Sequence, residues 1–582
     1  MIGFFALGSL FVWINDAWLY DPFGVVDQWA YIGLEYHFPN LIRSFPTQPA
    51  GELIGLIGPN AIIYHFLSPL MANKVIGISS FTIVLVLIFF LLDRNVSRRS
   101  AIFTTLLLSQ YQFFLLSIGS SYTEGRTMVF FTIVLFLLDR ASFAIHQRKR
   151  NLYLGLAGFF YFMCLNTAIL SLVYGFPLLV YYFIMRKGRE GQNIFLNKYS
   201  DFFSLAMGFF LGFFIVYVTY LKVGIDKVPM KNNIEKLFWF FIGGLPTPHL
   251  SQWLPSAIWL IFPLSILVTY SILMAKTILL KSKRLSQFEL GFASLFFSLV
   301  GLLCFTQFVL KQYPLQLLYF HQTLPVYFLC LGLLISPLIS QLNSITFFLY
   351  STALFSLGAA TLWIHNNIDF HRLVAGRPII ILALLVFSLS IIVFISGSKT
   401  IANIGLTIFI TAFSVLNLVN FVSILPNMDM NHSPAQLSLG LKNSKQNFLA
   451  TLTWCDYIDV IDPKRSFLLW YNDNSNIGAL IRQFSAPTYL YQAMQFNRVF
   501  PSVSPGTSLP GNSGGTTASV GQKILIISEK SDAEELADEN LRKVGLSLKV
   551  ERKDQFIFKT IHLYTIQGTF INNGTEKSSF QG

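Results

Sequence analysis

Charge is scarce in this chain: only 12% of its 582 residues are Asp, Glu, Lys or Arg, against roughly 25% in soluble domains. With 54% hydrophobic residues and a mean hydropathy of +0.58, that scarcity argues against an ordinary soluble protein and for an integral membrane protein. Cysteine is scarce too. Cys164, Cys304 and Cys330 lie in apolar stretches and Cys455 stands alone, so no spacing fits a zinc site or a disulfide framework. The chain has no His-Glu-x-x-His pair and no nucleophile elbow. Gly511-Asn512-Ser513-Gly514-Gly515 is not followed by the Gly-Lys-Ser/Thr of a phosphate-binding loop. No nucleotide or dinucleotide site is visible.

The net charge of +13 does not point to nucleic acid, because of where it sits. From Asn431 onward 15 Lys/Arg stand against 13 Asp/Glu, so that part is near neutral. The excess lies in short loops between apolar runs, as topology signals do.

A membrane helix needs about 20 apolar residues. Thirteen segments qualify as candidate spans: 1–14, 75–92, 101–118, 127–138, 152–165, 168–185, 202–221, 254–275, 288–309, 324–340, 345–363, 378–395 and 401–424. The first is short. It lacks a basic start and a small-residue cleavage site, so it does not read as a signal peptide. Segment 53–73 is apolar but carries Pro59, Asn60, His65 and Pro69, and reads as a helix lying at the membrane interface. Arg94, Arg98 and Arg99, then Arg140, Arg148, Lys149 and Arg150, then Arg186, Lys187 and Arg189, then Lys276, Lys281, Lys283 and Arg284 all fall on one side. Lys and Arg in short loops mark the cytoplasm. The other side receives the acidic loop 15–52 (Asp16, Asp21, Asp27, Glu35, Glu52) and loops 119–126, 222–253, 310–323 and 364–377, although loop 222–253 carries four lysines.

The expected fold class is therefore an α-helical polytopic membrane protein of about thirteen spans over 1–425, with a small α/β extracytoplasmic domain over 426–567 and a disordered tail over 568–582. In the soluble part, 466–471 and 523–528 read as strands, 532–544 as a helix and 547–567 as two further strands. Residues 446–460 and 475–485 read as helices, and Ser, Gly and Pro mark 501–520 as a loop.

Three constellations carry the chemistry, all in outer loops. Asp27-Gln28-Trp29-Ala30-Tyr31 is followed by Arg43 and a turn with Pro46 and Pro49. A carboxylate at the lipid–water boundary, partly desolvated, makes a better base, although loop aspartates are also often merely solvated. Tyr122-Thr123-Glu124-Gly125-Arg126 sits in a loop short enough to hold its carboxylate at the membrane; a surface Glu124–Arg126 pair is the plainer alternative. Lys311, with His321 in Tyr319-Phe320-His321-Gln322, precedes span ten, and His371-Arg372 lies in the last outer loop. These cations could neutralise a phosphate leaving group, or serve as ordinary interfacial residues.

An acidic residue just outside the first span, with Tyr four residues on, then an Arg and a Pro-rich turn, resembles the first outer loop of the GT-C glycosyltransferases. Protein O-mannosyltransferases and bacterial aminoarabinose transferases belong to that superfamily. Its loop carries an Asp-Glu or Asp-x-x-x-Tyr element at the catalytic centre; here Gln28 stands in the second position, a departure from the Asp-Glu form. GT-C enzymes also place an acidic residue in the second outer loop, which Glu124 matches. Trp454-Cys455-Asp456-Tyr457 is superficially similar to the Trp-Trp-Asp-Tyr-Gly element of oligosaccharyltransferases, but the second Trp and the Gly are missing and it reads as one face of an amphipathic helix.

The resemblance implies sugar transfer from a polyprenyl-phosphate donor to a glycan, lipid or protein acceptor outside the cytoplasm, at a plasma or inner membrane. Asp27 and Glu124 would be catalytic. Tyr31, Arg43, Tyr122, Arg126, Lys311, His321 and Arg372 would bind substrate. Membrane lipid is a partner, nucleic acid is not, and a divalent metal is left open. The alternatives are a transporter or flippase of lipid-linked glycan, or a polysaccharide polymerase or ligase. Transporters tend to carry ionisable residues inside spans, whereas these spans are almost free of charge.

Overall fold

The computed structural model describes residues 26–39, 42, 52–119, 123–187, 194–225, 228–229, 231, 234–235, 260–279, 286–309, 321–367, 378–394, 399–417, 467–470, 498–499, 520–521, 523–528, 531–542, 546–558 and 561–572. The chain divides into two compact units. One comprises 1–19, 47–67 and 71–428, the other 20–46, 68–70 and 429–582.

The first unit is helical. Helix α1 (Val26–Tyr36) precedes it in sequence and belongs to the second unit. Helix α2 (Ile54–Phe66) contains Pro59 and has 13 residues. At 1.5 Å per residue it is about 20 Å long, short of a hydrocarbon core of roughly 30 Å. Helix α3 (Pro69–Asn95) follows, then α4 (Arg98–Gln110), capped by the Ser97 hydroxyl accepting from the Ser100 N–H. Expected span 101–118 is not continuous. Tyr111 leaves helical geometry (φ −71°, ψ 114°) and α5 (Gln112–Gly119) begins after it. Apolar composition shows that a segment belongs in the bilayer but not that its backbone breaks there. Irregular backbone at such depth is tolerated where protein surrounds it, and Tyr111 is fully buried.

Helices α6 (Thr123–Phe143), α7 (Gln147–Thr167), α8 (Gly175–Lys187), α9 (Ile194–Val223), α10 (Ile261–Leu279), α11 (Gln287–Cys304), α12 (Leu324–Gln341), α13 (Ser344–Asn367), α14 (Pro378–Phe394) and α15 (Lys399–Asn417) complete the unit. A 3-10 turn (Ile169–Tyr174) joins α7 to α8, and α11 runs on into a π-helical turn (Phe305–Val309). Ser286 and Glu289 form a reciprocal capping box at the start of α11. Six helices among the described residues are long and apolar enough to cross a membrane: 71–95, 169–186, 199–223, 261–278, 287–309 and 324–341. The chain is an integral membrane protein. Helix α9 leaves Phe202, Phe203, Phe210 and Phe214 exposed, as suits a lipid-facing helix.

Two features hold the bundle. Helices α7 and α9 meet backbone to backbone: a Cβ on Gly208 would lie 1.7 Å from the Gly155 carbonyl oxygen, and one on Gly158 2.0 Å from that of Leu205. Small residues at such crossings let helices pack closely where the hydrophobic effect cannot drive them together. The second feature is a buried polar network at the arginine-rich end. The Asp201 carboxylate on α9 accepts from Arg150 Nε (3.0 Å) and the Tyr182 hydroxyl (2.6 Å), and also pairs with Arg186. Asp139 on α6 accepts from the Tyr181 hydroxyl (3.0 Å) and Asn95 Nδ2 (3.2 Å), with Arg94 at 3.8 Å. Adjacent tyrosines of α8 thus reach carboxylates on two different helices.

The second unit carries a five-stranded sheet, in order β2 (Arg498–Val499), β1 (Phe467–Trp470), β3 (Lys523–Ser528), β5 (Ile561–Asn572), β4 (Leu546–Phe558). β1 runs parallel to β2 and β3, with Leu469 opposite Ile526; β5 is antiparallel to both its neighbours, β3, with Ile526 opposite Ile566, and β4. Alternate residues Ile524 and Ile526 of β3, with Ile566 and Phe570 of the neighbouring β5, are buried and form its core face. Helix α16 (Ala533–Arg542) packs against β4 and β3, and Asp538 accepts from the Leu548 N–H at 2.8 Å. The strands and helix expected near 466–471, 523–528, 532–544 and 547–567 coincide with these elements. One boundary moves: β5 continues past 567 to Asn572, so the start of the expected tail is strand. Residues 446–460, 475–485 and 573–582 lie outside the described residues.

Candidate functional site

Away from the arginine-rich network, the ends of several helices of the first unit converge. The backbone carbonyl of Glu52, just before α2, accepts from Asn166 Nδ2 (3.2 Å) and from the Tyr220 hydroxyl (2.5 Å). Gly55 returns the contact, its N–H donating to Asn166 Oδ1 at 2.6 Å. That approach requires glycine, because a Cβ on Gly55 would meet the Met163 carbonyl at 2.7 Å and Thr167 Oγ1 at 2.9 Å. The last turns of α7 and α9 therefore fix the start of α2 and hold Glu52, whose side chain is buried.

The same surface continues through the 3-10 turn, where Ser171 Oγ donates to Gln322 Oε1 at 3.1 Å. Gln322 belongs to the turn His321–Thr323, which packs against α6 and α5. Glu124 is the second residue of α6. Gly125, next to it, lies against the Ser117 carbonyl of α5, 1.9 Å from where a Cβ would stand, so only glycine lets α6 start there. Arg126 is buried and turned into the bundle: its Nη1 donates to Ser80 Oγ (2.5 Å) and to the carbonyls of Ile76 and Ile118 (3.4 Å each). The His321–Thr323 turn thus packs against the helix that opens with the Glu124–Arg126 element. Asp27 is the second residue of α1, and Tyr31, one turn on and buried, shares that helix in the other unit. Arg43, Tyr122, Lys311 and Arg372 lie outside the described residues.

Sequence reasoning missed the frame around these residues. Glu52 was one acidic residue among five in its loop, and Asn166 and Tyr220 carried no signal because they sit inside or beside apolar runs. Lys74 is a buried cation close to the Ile76 and Ser80 that hold Arg126. It reads in sequence only as the edge of a span. Among the described residues no group of three or more His, Cys, Asp or Glu could hold a metal.

No protein-family model and no curated protein sequence matches the chain. Its fold does have solved counterparts. The crystal structure of ArnT from Cupriavidus metallidurans bound to undecaprenyl phosphate superposes with a TM-score of 0.50 over 96% of this chain and 97% of that one, at 10% identity. The apo structure of the same protein gives 0.46 at 11% identity over the same shares. At 10% identity the likeness is one of fold: the chain is built like that ArnT structure along nearly its whole length.

Proposed function

We propose that this chain is an integral-membrane glycosyltransferase of GT-C type, moving a sugar from a polyprenyl-phosphate donor to an acceptor on the extracytoplasmic side. The observation that carries the reading is the ArnT-like fold over nearly the whole chain, since that counterpart holds undecaprenyl phosphate. The packing of the His321–Thr323 turn against α6, the helix that begins with Thr123 and Glu124, supports it. In this reading the chain has about thirteen spans, and the domain over 426–567 caps the site or selects the acceptor.

The transfer is a direct inverting displacement. Asp27 accepts the acceptor hydroxyl's proton as the oxygen attacks the anomeric carbon, and the polyprenyl phosphate leaves. General-base assistance of this kind contributes roughly 10²–10⁴-fold. Glu124 orients the acceptor. Lys311, His321 and Arg372 hold the phosphate as charge develops on it. Tyr31, Arg43, Tyr122 and Arg126 line the substrate path.

The test is to incubate purified protein with radiolabelled polyprenyl-phosphate sugars and follow transfer and polyprenyl-phosphate release. Label passing to an acceptor supports the reading. Donor crossing a vesicle bilayer without cleavage would favour the flippase alternative instead.

A further inference from the structure

The α4–α5 break gathers polar groups that the proposed transfer does not use. Gln110 ends α4 and Tyr111 is the extended residue that follows; both side chains are buried, at 2% and 0% exposure. Among the described residues, neither Gln110 Nε2 nor the Tyr111 hydroxyl has a hydrogen-bond partner. Space is built for the carboxamide: a Cβ on Gly358 of α13 would lie 2.1 Å from Gln110 Cδ. The Tyr111 ring is boxed by Phe113, Phe262, Phe328 and Phe413, with centroids 5.1–5.8 Å away. The break also frees backbone groups, because the last carbonyls of one helix and the first N–H groups of the next lack intrahelical partners. Among the described residues, Tyr111 N–H donates to the Leu108 carbonyl and the Tyr111 carbonyl accepts from the Leu115 N–H.

A buried donor without an acceptor costs folding free energy, and an apolar residue of the same shape would avoid that cost. This chain uses 59 phenylalanines and fills the rest of the box with them, yet it keeps a hydroxyl at 111 and a carboxamide at 110. None of the residues named is charged, so the complement is a small neutral oxygen that both accepts and donates. Water meets that description and needs two to four polar partners. We propose that the α4–α5 break is a built site for bound water, held by Gln110 Nε2, the Tyr111 hydroxyl and the carbonyls freed at the end of α4. The site makes the break a hydrated joint beneath α5, the helix that precedes α6, of which Glu124 is the second residue.

X-ray radiolysis of the full-length protein in detergent tests this without any variant, because hydroxyl radicals born from bound water modify the side chains that touch it. Tyr181 and Tyr182 are equally buried but bonded to carboxylates, and serve as internal controls. Tyr111 should be hydroxylated several-fold faster than either. In Gln110→Leu that excess should fall to the control rate. Labelling of Tyr111 no faster than of Tyr181 and Tyr182 would overturn the proposal. So would a double variant Gln110→Leu/Tyr111→Phe that melts at a higher temperature than the parent, since a dry site gains from losing unpartnered groups.

Discussion

Asp201 receives two guanidiniums and a phenol while almost fully buried. Removing its charge leaves Arg150 and Arg186 without their counter-ion inside the protein. Breaking a buried pair in this way costs about 3–5 kcal/mol, so Asp201→Asn should lower the melting temperature in detergent sharply. Arg148→Ala, at an exposed position, should shift it little. The transfer reading has its own single-residue consequences. Asp27→Asn should insert and express normally yet lose about a hundredfold in activity, within the general-base range; if Asp16→Asn loses activity and Asp27→Asn does not, the base is the other aspartate. Lys311→Ala or Arg372→Ala should raise the apparent donor KM at unchanged protein level; normal donor binding in both and in the double variant would remove them from the phosphate site. In sequence Asp27 and Glu124 stand out as acidic letters between apolar runs, and the structure sets each as the second residue of a helix. Asn166 and Tyr220 do not stand out, because what matters about them is a partner more than fifty residues away, Glu52, which no local pattern encodes.

At the scale of the element, the glycines of α7 and α9 divide cleanly. Gly208→Ala and Gly158→Ala must push the helices apart, since each new Cβ lands on a carbonyl; overpacking of this sort costs roughly 1–3 kcal/mol. Gly301→Ala in α11 meets nothing within 4 Å and should leave thermal stability unchanged. Equal effects at all three positions would show that the α7–α9 contact is not what these glycines serve. Helices were the most legible elements. Every candidate span but 1–14, which lies outside the described residues, overlaps a helix, because twenty apolar residues in lipid have few other ways to satisfy their backbone. The break at Tyr111 was not legible, since neither Pro nor Gly marks it and three of the rings packed around Tyr111, Phe262, Phe328 and Phe413, come from distant helices. In the soluble part KILIIS matched β3 residue for residue, because a short apolar run bounded by turn residues reads directly as a strand.

For the whole molecule the open question of orientation has a direct readout. A reporter active only outside the cytosol should be active when fused after Gly582 and silent after Arg150; the reverse pattern would invert the topology and with it the placing of the transfer site. Any attempt to change that orientation by editing charges meets the arginine-rich network. Arg94 precedes Asp139 in the chain, and Arg150 and Arg186 both precede Asp201. As the chain leaves the ribosome, each of these cations emerges alone and counts at full strength in the charge bias that sets orientation. Its carboxylate arrives only with a later helix. In the proposed orientation the same three arginines would act twice in time, first steering the nascent chain and then, once α6 and α9 have emerged, pairing with Asp139 and Asp201 in the folded protein. A mutation that removes one would be felt at two separate moments in the life of the protein, at its synthesis and in its finished state.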